Sequence, residues 1–332
     1  MKKKTFTRLF AGAFAAAMLL TGCSQGTETS QESDEKKPLA LLLSQEDEFL
    51  LDLKEAVEEE AKAQGYDLLY YSADGDAETQ LRQMHEAYAA GAGTLIVNLT
   101  GDQVAEDIAE TADTGVVLVN RAPNDRSILS ENLVFVGCDE SQCGTLQGEA
   151  LAAYFAGKEG SDIRYLMFQG VPGLENTEKR TNGAVQALYD AGFNAIAADS
   201  YQVCGFFRDQ AQKAMEGLLA KGTEYDCIIC NNDAMALGVA AALKQAGVDV
   251  SQTPIVGMDN TPDGAAALAE GTLYMTIDQN AGEQTAAAVA AAVNLDQGRP
   301  FDENINIPKD QDGGNVQPYI LRTPVHAVMR DN

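Results

Sequence analysis

From residue 38 onward, short unbroken apolar runs alternate with longer stretches whose apolar positions recur every three or four residues. The run 39–43 is apolar throughout, as a parallel strand covered on both faces must be. Helical spacing follows at 48–64. Phe49, Leu50, Leu53, Val57 and Ala61 fall on one side, Glu58, Glu59 and Lys62 on the other, and Gly65 ends the segment. The pattern then predicts strands at 67–71, 94–98 and 116–120 and helices at 77–90 and 103–113. A second round begins near Cys138. It has helices at 144–155, 180–191, 208–221, 234–246 and 262–270, strands at 163–169, 195–200, 227–231, 255–258 and 273–277, and an Ala-rich helix at 282–293. The tail after Pro300 alternates poorly, and a strand is expected only near 304–307. Such βαβα alternation predicts doubly wound parallel sheets. Two rounds in one chain predict two Rossmann-like α/β domains facing a cleft.

Ligands of open α/β sheets bind beyond the carboxyl ends of the strands, so the residues just past each run are the candidates for a site. They are Asp47 and Phe49, Asn98, Arg121, Asn176 and Arg180, then Asn231, Asn232 and Asp233, Asp259, and Asp278, Gln279 and Asn280. Carboxylates accept from vicinal hydroxyls, guanidinium groups donate in a fork, and amides do both. An aromatic face such as Phe49 or Phe206 covers the C–H side of a sugar ring. The set suits a polyhydroxylated ligand. Each residue also has a plainer reading: Asn232 and Asp233 as helix caps, Asp259 as a turn residue, Phe49 as core, Arg121 as an interdomain ion pair.

The N-terminus changes the picture of where this happens. Lys2, Lys3, Lys4 and Arg8 precede an apolar stretch at 9–20, too short to span a bilayer comfortably. Leu20-Thr-Gly-Cys23 follows, which resembles the lipobox of bacterial lipoproteins, whose Cys is acylated and becomes the new N-terminus. Residues 1–22 are thus expected to be a signal peptide and Cys23 a lipid anchor on the outer side of the cell membrane. Residues 23–37, almost without apolar side chains, are expected to form a flexible tether. The net charge of −27 argues against nucleic acid as a partner, since phosphates demand a basic surface.

Of the six cysteines, Cys227 and Cys230 form a C-x-x-C motif inside an apparent strand. Odd spacing there points them to opposite faces, so they read as small buried hydrophobes, not as a metal or redox pair. Cys138, Cys143 and Cys204 are scattered; export permits disulfides, but the sequence assigns no pairing. His85 and His326 accompany no nucleophile or metal pair. The chain contains no G-x-S-x-G elbow, P-loop or G-x-G-x-x-G fingerprint. No enzyme activity, cofactor or metal is expected.

The segment Cys230-Asn-Asn-Asp-Ala-Met-Ala-Leu-Gly238 resembles the second-domain motif of type I periplasmic sugar-binding proteins, in the galactose/glucose- and ribose-binding branch. Val256-Gly-Met-Asp-Asn-Thr-Pro-Asp263, Gly271-Thr-Leu-Tyr-Met-Thr-Ile-Asp-Gln279 and Gln169-Gly-Val-Pro-Gly173 with Arg180 and Gly183 resemble further motifs of that family, in the same order. The resemblance spans about 39–308. It implies a three-segment hinge near 136–139, 279–281 and 305–309, a first lobe of 38–137 plus 281–307 and a second of 138–280 plus 308–330. It also implies sugar contacts at Asp47, Phe49, Asn98, Arg121, Asn176, Arg180, Phe206, Asn232 and Asp259, a hinge amide at Gln279, and capping left to Asp233. Leu174 and Asn176 stand where the galactose branch has His and Asp. The loop 157–162 is too short for that branch's calcium site. The function implied is a monomeric lipoprotein that binds a monosaccharide, a galactose- or glucose-like hexose favoured, and delivers it to an ABC permease and its ATPase. The same cleft would equally serve a receptor presenting a sugar or small diol to a sensor kinase or chemoreceptor.

Overall fold

The structure, a computed structural model, describes residues 36–158, 160–312 and 314–330. The expected signal peptide, Cys23 and nearly all of the tether lie outside the described residues. The first sheet is built from β1 (Leu39–Leu43), β2 (Leu68–Ser72), β3 (Thr94–Val97), β4 (Gly115–Val119) and β5 (Leu133–Gly137), with α1 (Glu48–Ala63), α2 (Ala77–Ala89) and α3 (Asp102–Thr111) as crossovers. The second round gives α4 (Glu140–Tyr154), β6 (Asp162–Gln169), α5 (Glu175–Asp190), β7 (Asn194–Ala197), β8 (Gln202–Val203) and α6 (Arg208–Lys221). It continues through β9 (Cys227–Cys230), α7 (Asp233–Gln245), β10 (Ile255–Val256), α8 (Pro262–Ala269) and β11 (Met275–Asp278). The chain ends with α9 (Ala281–Asp296), β12 (Lys309–Asp312), β13 (Asn315–Arg322) and β14 (His326–Met329).

Alternation along β1 explains its unbroken apolar run. Leu39, Leu41 and Leu43 pack with α1 and α9, while Ala40 and Leu42 pack with Met84 of α2 and Ile108 of α3 on the other face. The second sheet is layered in the same way. Ile228 and Cys230 enter one cluster and Cys227 and Ile229 the other, so the two cysteines point to opposite faces as expected of a strand. Both sheets are seven-stranded and mostly parallel, in the orders β12-β13-β5-β4-β3-β1-β2 and β14-β11-β10-β9-β6-β7, with β8 also paired to β6.

The tail departs from expectation. Residues 304–307 form no strand, and 309–322, expected in the second lobe, belong to the first sheet: Ile320–Arg322 pair in parallel with Phe135–Gly137. Only β14 joins the second sheet, antiparallel to β11. The chain therefore crosses between lobes after β5, after β11 and between β13 and β14. The first two crossings lie where the sequence puts them; the third lies at 323–325, not at 305–309. The physical reason is that β12 and β13 are held by backbone pairing with little burial of their own. Lys309–Asp312 is wholly polar, and β13 carries Pro318 and buries only Ile320 and Leu321.

Candidate functional site

The carboxyl ends of the two sheets face one another across a small cavity. The first lobe lines it with Asp47, Phe49, Leu50, Asn120 and Arg121, the second with Asn176, Arg180, Phe206, Asn232 and Asp259, and Gln279 closes it at the hinge. Every one of these side chains is buried.

On the first lobe, Asp47 caps α1: its Oδ1 accepts from the Leu50 amide and its Oδ2 from Gln45 Nε2. Phe49 and Leu50 follow in the first turn, so the cap residue and the apolar floor of the cavity are fixed by one helix start. Arg121 donates through Nη1 to Ser44 Oγ at 2.7 Å and to the Leu99 carbonyl at 3.1 Å, and its Nη2 lies 4.0 Å from Asp47. Its guanidinium also sits 5.4 Å from the ring centre of Phe206 in the opposite lobe. Burial pushes the Arg121 pKa down to about 10, Asp47 opposing. Burial likewise raises Asp47 above the usual carboxylate range, Arg121 opposing.

On the second lobe, Asn176 and Arg180 are four residues apart on α5 and so share a face. The helix begins at Glu175, five residues before the expected start, which places Arg180 inside its second turn. Arg180 is held from behind. Its Nε and Nη2 donate to the two carboxylate oxygens of Glu140 at 2.6 and 2.9 Å, and Nη1 donates to the Asn231 carbonyl at 2.9 Å. The fork exists because α4 and α5 touch at their backbones. A Cβ on Gly144 would stand 2.5 Å from the Arg180 carbonyl oxygen, and one on Gly148 would stand 2.3 Å from that of Ala184. Burial works against the Arg180 charge, but Glu140 outweighs it and raises the pKa.

Asn232 is itself the cap of α7, accepting from the Met235 amide, while its Nδ2 donates to the Phe206 carbonyl. Asp233, expected to be the cap, is instead fully buried behind the cavity. It accepts from Thr276 Oγ1 at 2.7 Å and from the Thr261 amide at 3.2 Å, with Gly257 and Gly264 leaving the room. It thereby braces the turn that carries Asp259. Burial pushes Asp233 up to about 7. Burial also raises Asp259 well above the usual range, with Asp233, Asp47 and Glu140 adding to it and Arg180 opposing.

Asn98 is not among the lining residues. It is completely buried beneath them, accepting from Ser44 Oγ and donating to the Val119 carbonyl, so its role is to hold the base on which Arg121 rests. Asn120, which the pattern left inside a strand, takes a lining position with φ at 64°. Its Nδ2 donates to Gln279 Oε1 at 3.1 Å, and Gln279 Nε2 donates to Asp259 Oδ1 at 2.7 Å. This relay ties the first lobe to the second through the hinge. Of the lining residues, Asn120, Phe206 and Asp259 all have positive φ, backbone strain that collects at functional sites. Among the described residues, two ion pairs bridge the lobes outside the cavity: Arg208 with Glu48 at 2.7 and 2.5 Å, and Arg126 with Glu175 at 2.5 Å.

A family model described as periplasmic binding protein domain matches residues 40–300. A Rhizobium meliloti protein named for rhizopine binding is 31% identical over 267 residues, which is 79% of this chain and 85% of that protein. The ribose import binding protein RbsB of Escherichia coli is 27% identical over 79% of this chain and 86% of its own length. A solved ABC transporter solute-binding protein from Bacillus halodurans, with bound myo-inositol, superposes with a TM-score of 0.75 at 26% identity, covering 89% of this chain and 95% of that one.

Proposed function

Because the chain belongs to the periplasmic binding protein family, we propose that it is the sugar-capturing component of an ABC importer. It takes one small neutral polyol into the interlobe cavity and presents the closed form to the permease and its ATPase. The ligand class is a small cyclic polyol, with a galactose- or glucose-like hexose as the first candidate. One observation carries this reading. Carboxylates, amides and guanidinium groups from both lobes converge on a single small buried cavity, beside the rings of Phe49 and Phe206.

The groups are set for binding. Asp259 has one oxygen engaged by Gln279 and the other left toward the cavity, an acceptor for ligand hydroxyls. Arg180 spends three of its five N–H groups on Glu140 and Asn231 and retains two to donate. In a dry cavity such bonds are stronger than in water, and closure of the lobes over the ligand supplies the two-state change that a transporter reads. The reading assigns the protein no catalysis. It includes export, anchoring through Cys23 and action as a monomer. Among the described residues no helix is long and apolar enough to cross a membrane.

Isothermal titration against hexoses, pentoses and cyclitols tests the reading. At least one should bind with micromolar or tighter affinity, and Asp259→Ala and Arg180→Ala should each weaken it tenfold or more, about 1.4 kcal/mol per tenfold. A panel with no binder, or variants that bind as the parent does, would overturn it.

A further inference from the structure

All five cysteines among the described residues are free and buried. Cys204, Cys227 and Cys230 are spread through the apolar clusters of the second lobe. Cys138 and Cys143 differ, because their Sγ atoms lie 3.8 Å apart. Asp139 caps α4, so Cys138 is the residue before the cap and Cys143 the fourth residue of the helix. Those two positions ordinarily hold an apolar pair that fixes the angle at which the chain enters a helix. A disulfide needs its sulfurs about 2.05 Å apart, so these two must close by less than about 2 Å to join.

The location gives the pair a consequence. Residues 137–139 are the first of the three crossings between the lobes. Between the two thiols in sequence stands Glu140, which forks to Arg180. Cys138 Sγ lies 3.7 Å from Gln279 Oε1, the acceptor in the relay across the hinge. Cys138, Glu140 and Cys143 also bring one ligand atom each within 4.8 Å of one another. A cation there would have to take Glu140 from a buried guanidinium that uses both its oxygens, so the two sulfurs are set for each other and not for a metal.

We propose that Cys138 and Cys143 form an oxidative modification site, a dithiol that closes to a disulfide across the first turn of α4 and fixes one strap of the hinge. The oxidant is an external small-molecule disulfide. One cysteine loses its proton, and the thiolate attacks one sulfur of that disulfide, expelling a small thiolate and leaving a mixed disulfide on the protein. The second cysteine loses its proton and attacks the protein-side sulfur, expelling the other small thiolate. The protein gives up two electrons and two protons, and the external disulfide becomes two thiols. The contact with Cys143, together with burial, raises the Cys138 thiol well above its usual range, so the exchange runs slowly in the folded molecule and faster at higher pH.

The experiment uses the reduced full chain, freed of reductant and incubated with oxidised glutathione at pH 8. Remaining thiols are then alkylated and the protein digested with trypsin without reduction. Both cysteines, and no others, fall in the peptide 127–158. The expected product is that peptide unalkylated and about 2 Da lighter, the mass of two hydrogens. Slower hydrogen exchange at 137–143 in the oxidised protein is also expected, and Cys143→Ser should instead accumulate glutathione on Cys138. Because the thiols are buried, the incubation is repeated in sub-denaturing urea. Recovery of the peptide fully alkylated, or carrying glutathione without the internal bond, in both conditions would overturn the proposal. Unchanged exchange at 137–143 would overturn the strap.

Discussion

Replacing Glu140 by Ala tests how the cavity wall is held. In the parent, both Glu140 oxygens are bonded to Arg180, and the two side chains are only 5% and 3% exposed. The substitution leaves a buried guanidinium whose one remaining protein acceptor is the Asn231 carbonyl. Removing one partner of a buried pair costs about 3–5 kcal/mol, most of it the penalty of the charge left behind. Removing both charges should undo much of that loss, since a buried pair replaced by apolar groups of similar volume is often neutral in stability. Glu140→Leu combined with Arg180→Met should therefore be more stable than Glu140→Ala alone, though it cannot bind ligand as the parent does. Equilibrium urea unfolding is the assay, followed by circular dichroism and by tyrosine fluorescence, which the absence of Trp leaves unmasked. A loss below about 1 kcal/mol for Glu140→Ala, the range of an exposed pair, would refute the reasoning. So would a double variant no more stable than the single one.

Asp233, raised to about 7 by burial, holds its proton in the folded state at pH values where the unfolded chain has released it. The folded state thus binds more protons between about pH 4 and 7, and stability from this group falls as pH rises through that window. Thermal melts from pH 5 to 8 should decline more steeply for the parent than for Asp233→Asn, and equal slopes would refute the assignment. Gly148→Leu drives a side chain into the Ala184 carbonyl and the Ala187 methyl. Overpacking of this kind costs about 1–3 kcal/mol, and ligand titration should show weakened binding because α5 shifts with Asn176 and Arg180. Glu48→Gln removes a half-exposed interlobe pair with Arg208. Urea unfolding should change by less than about 1 kcal/mol, while ligand binding weakens a few-fold at low salt and the difference fades in concentrated NaCl.

The fold was legible wherever burial on both faces forces an apolar run, as in Leu39–Leu43 and Cys227–Cys230. It was not legible in the tail, where Lys309–Asp312 becomes a strand through backbone pairing that leaves no mark on side-chain polarity. The candidate site was legible in position to the extent that strand ends mark it: Asp47, Arg180 and Asp259 all line the cavity. Asn120 escaped because a shift of one residue at a strand end separates a core position from a rim position. Asn98 misled for the related reason that an amide at a strand end can as well turn down into the base as out into the cleft. Glu140 and the inward turn of Asp233 were beyond reach of pattern. Both depend on how closely two elements approach, which glycines at 144, 148, 257 and 264 decide at long range.

The positive φ angles at Asn120, Phe206 and Asp259 bear on how such a cleft can change its preference over time. An L-residue with a branched or bulky side chain is poorly tolerated in that conformation. A β-branched replacement at these three places is therefore penalised before any ligand is met. Asp47, at φ −85°, and Asn176, within α5, carry no such restriction. Drift toward a new solute has its easiest route through the two helices, while the turns beneath stay as they are.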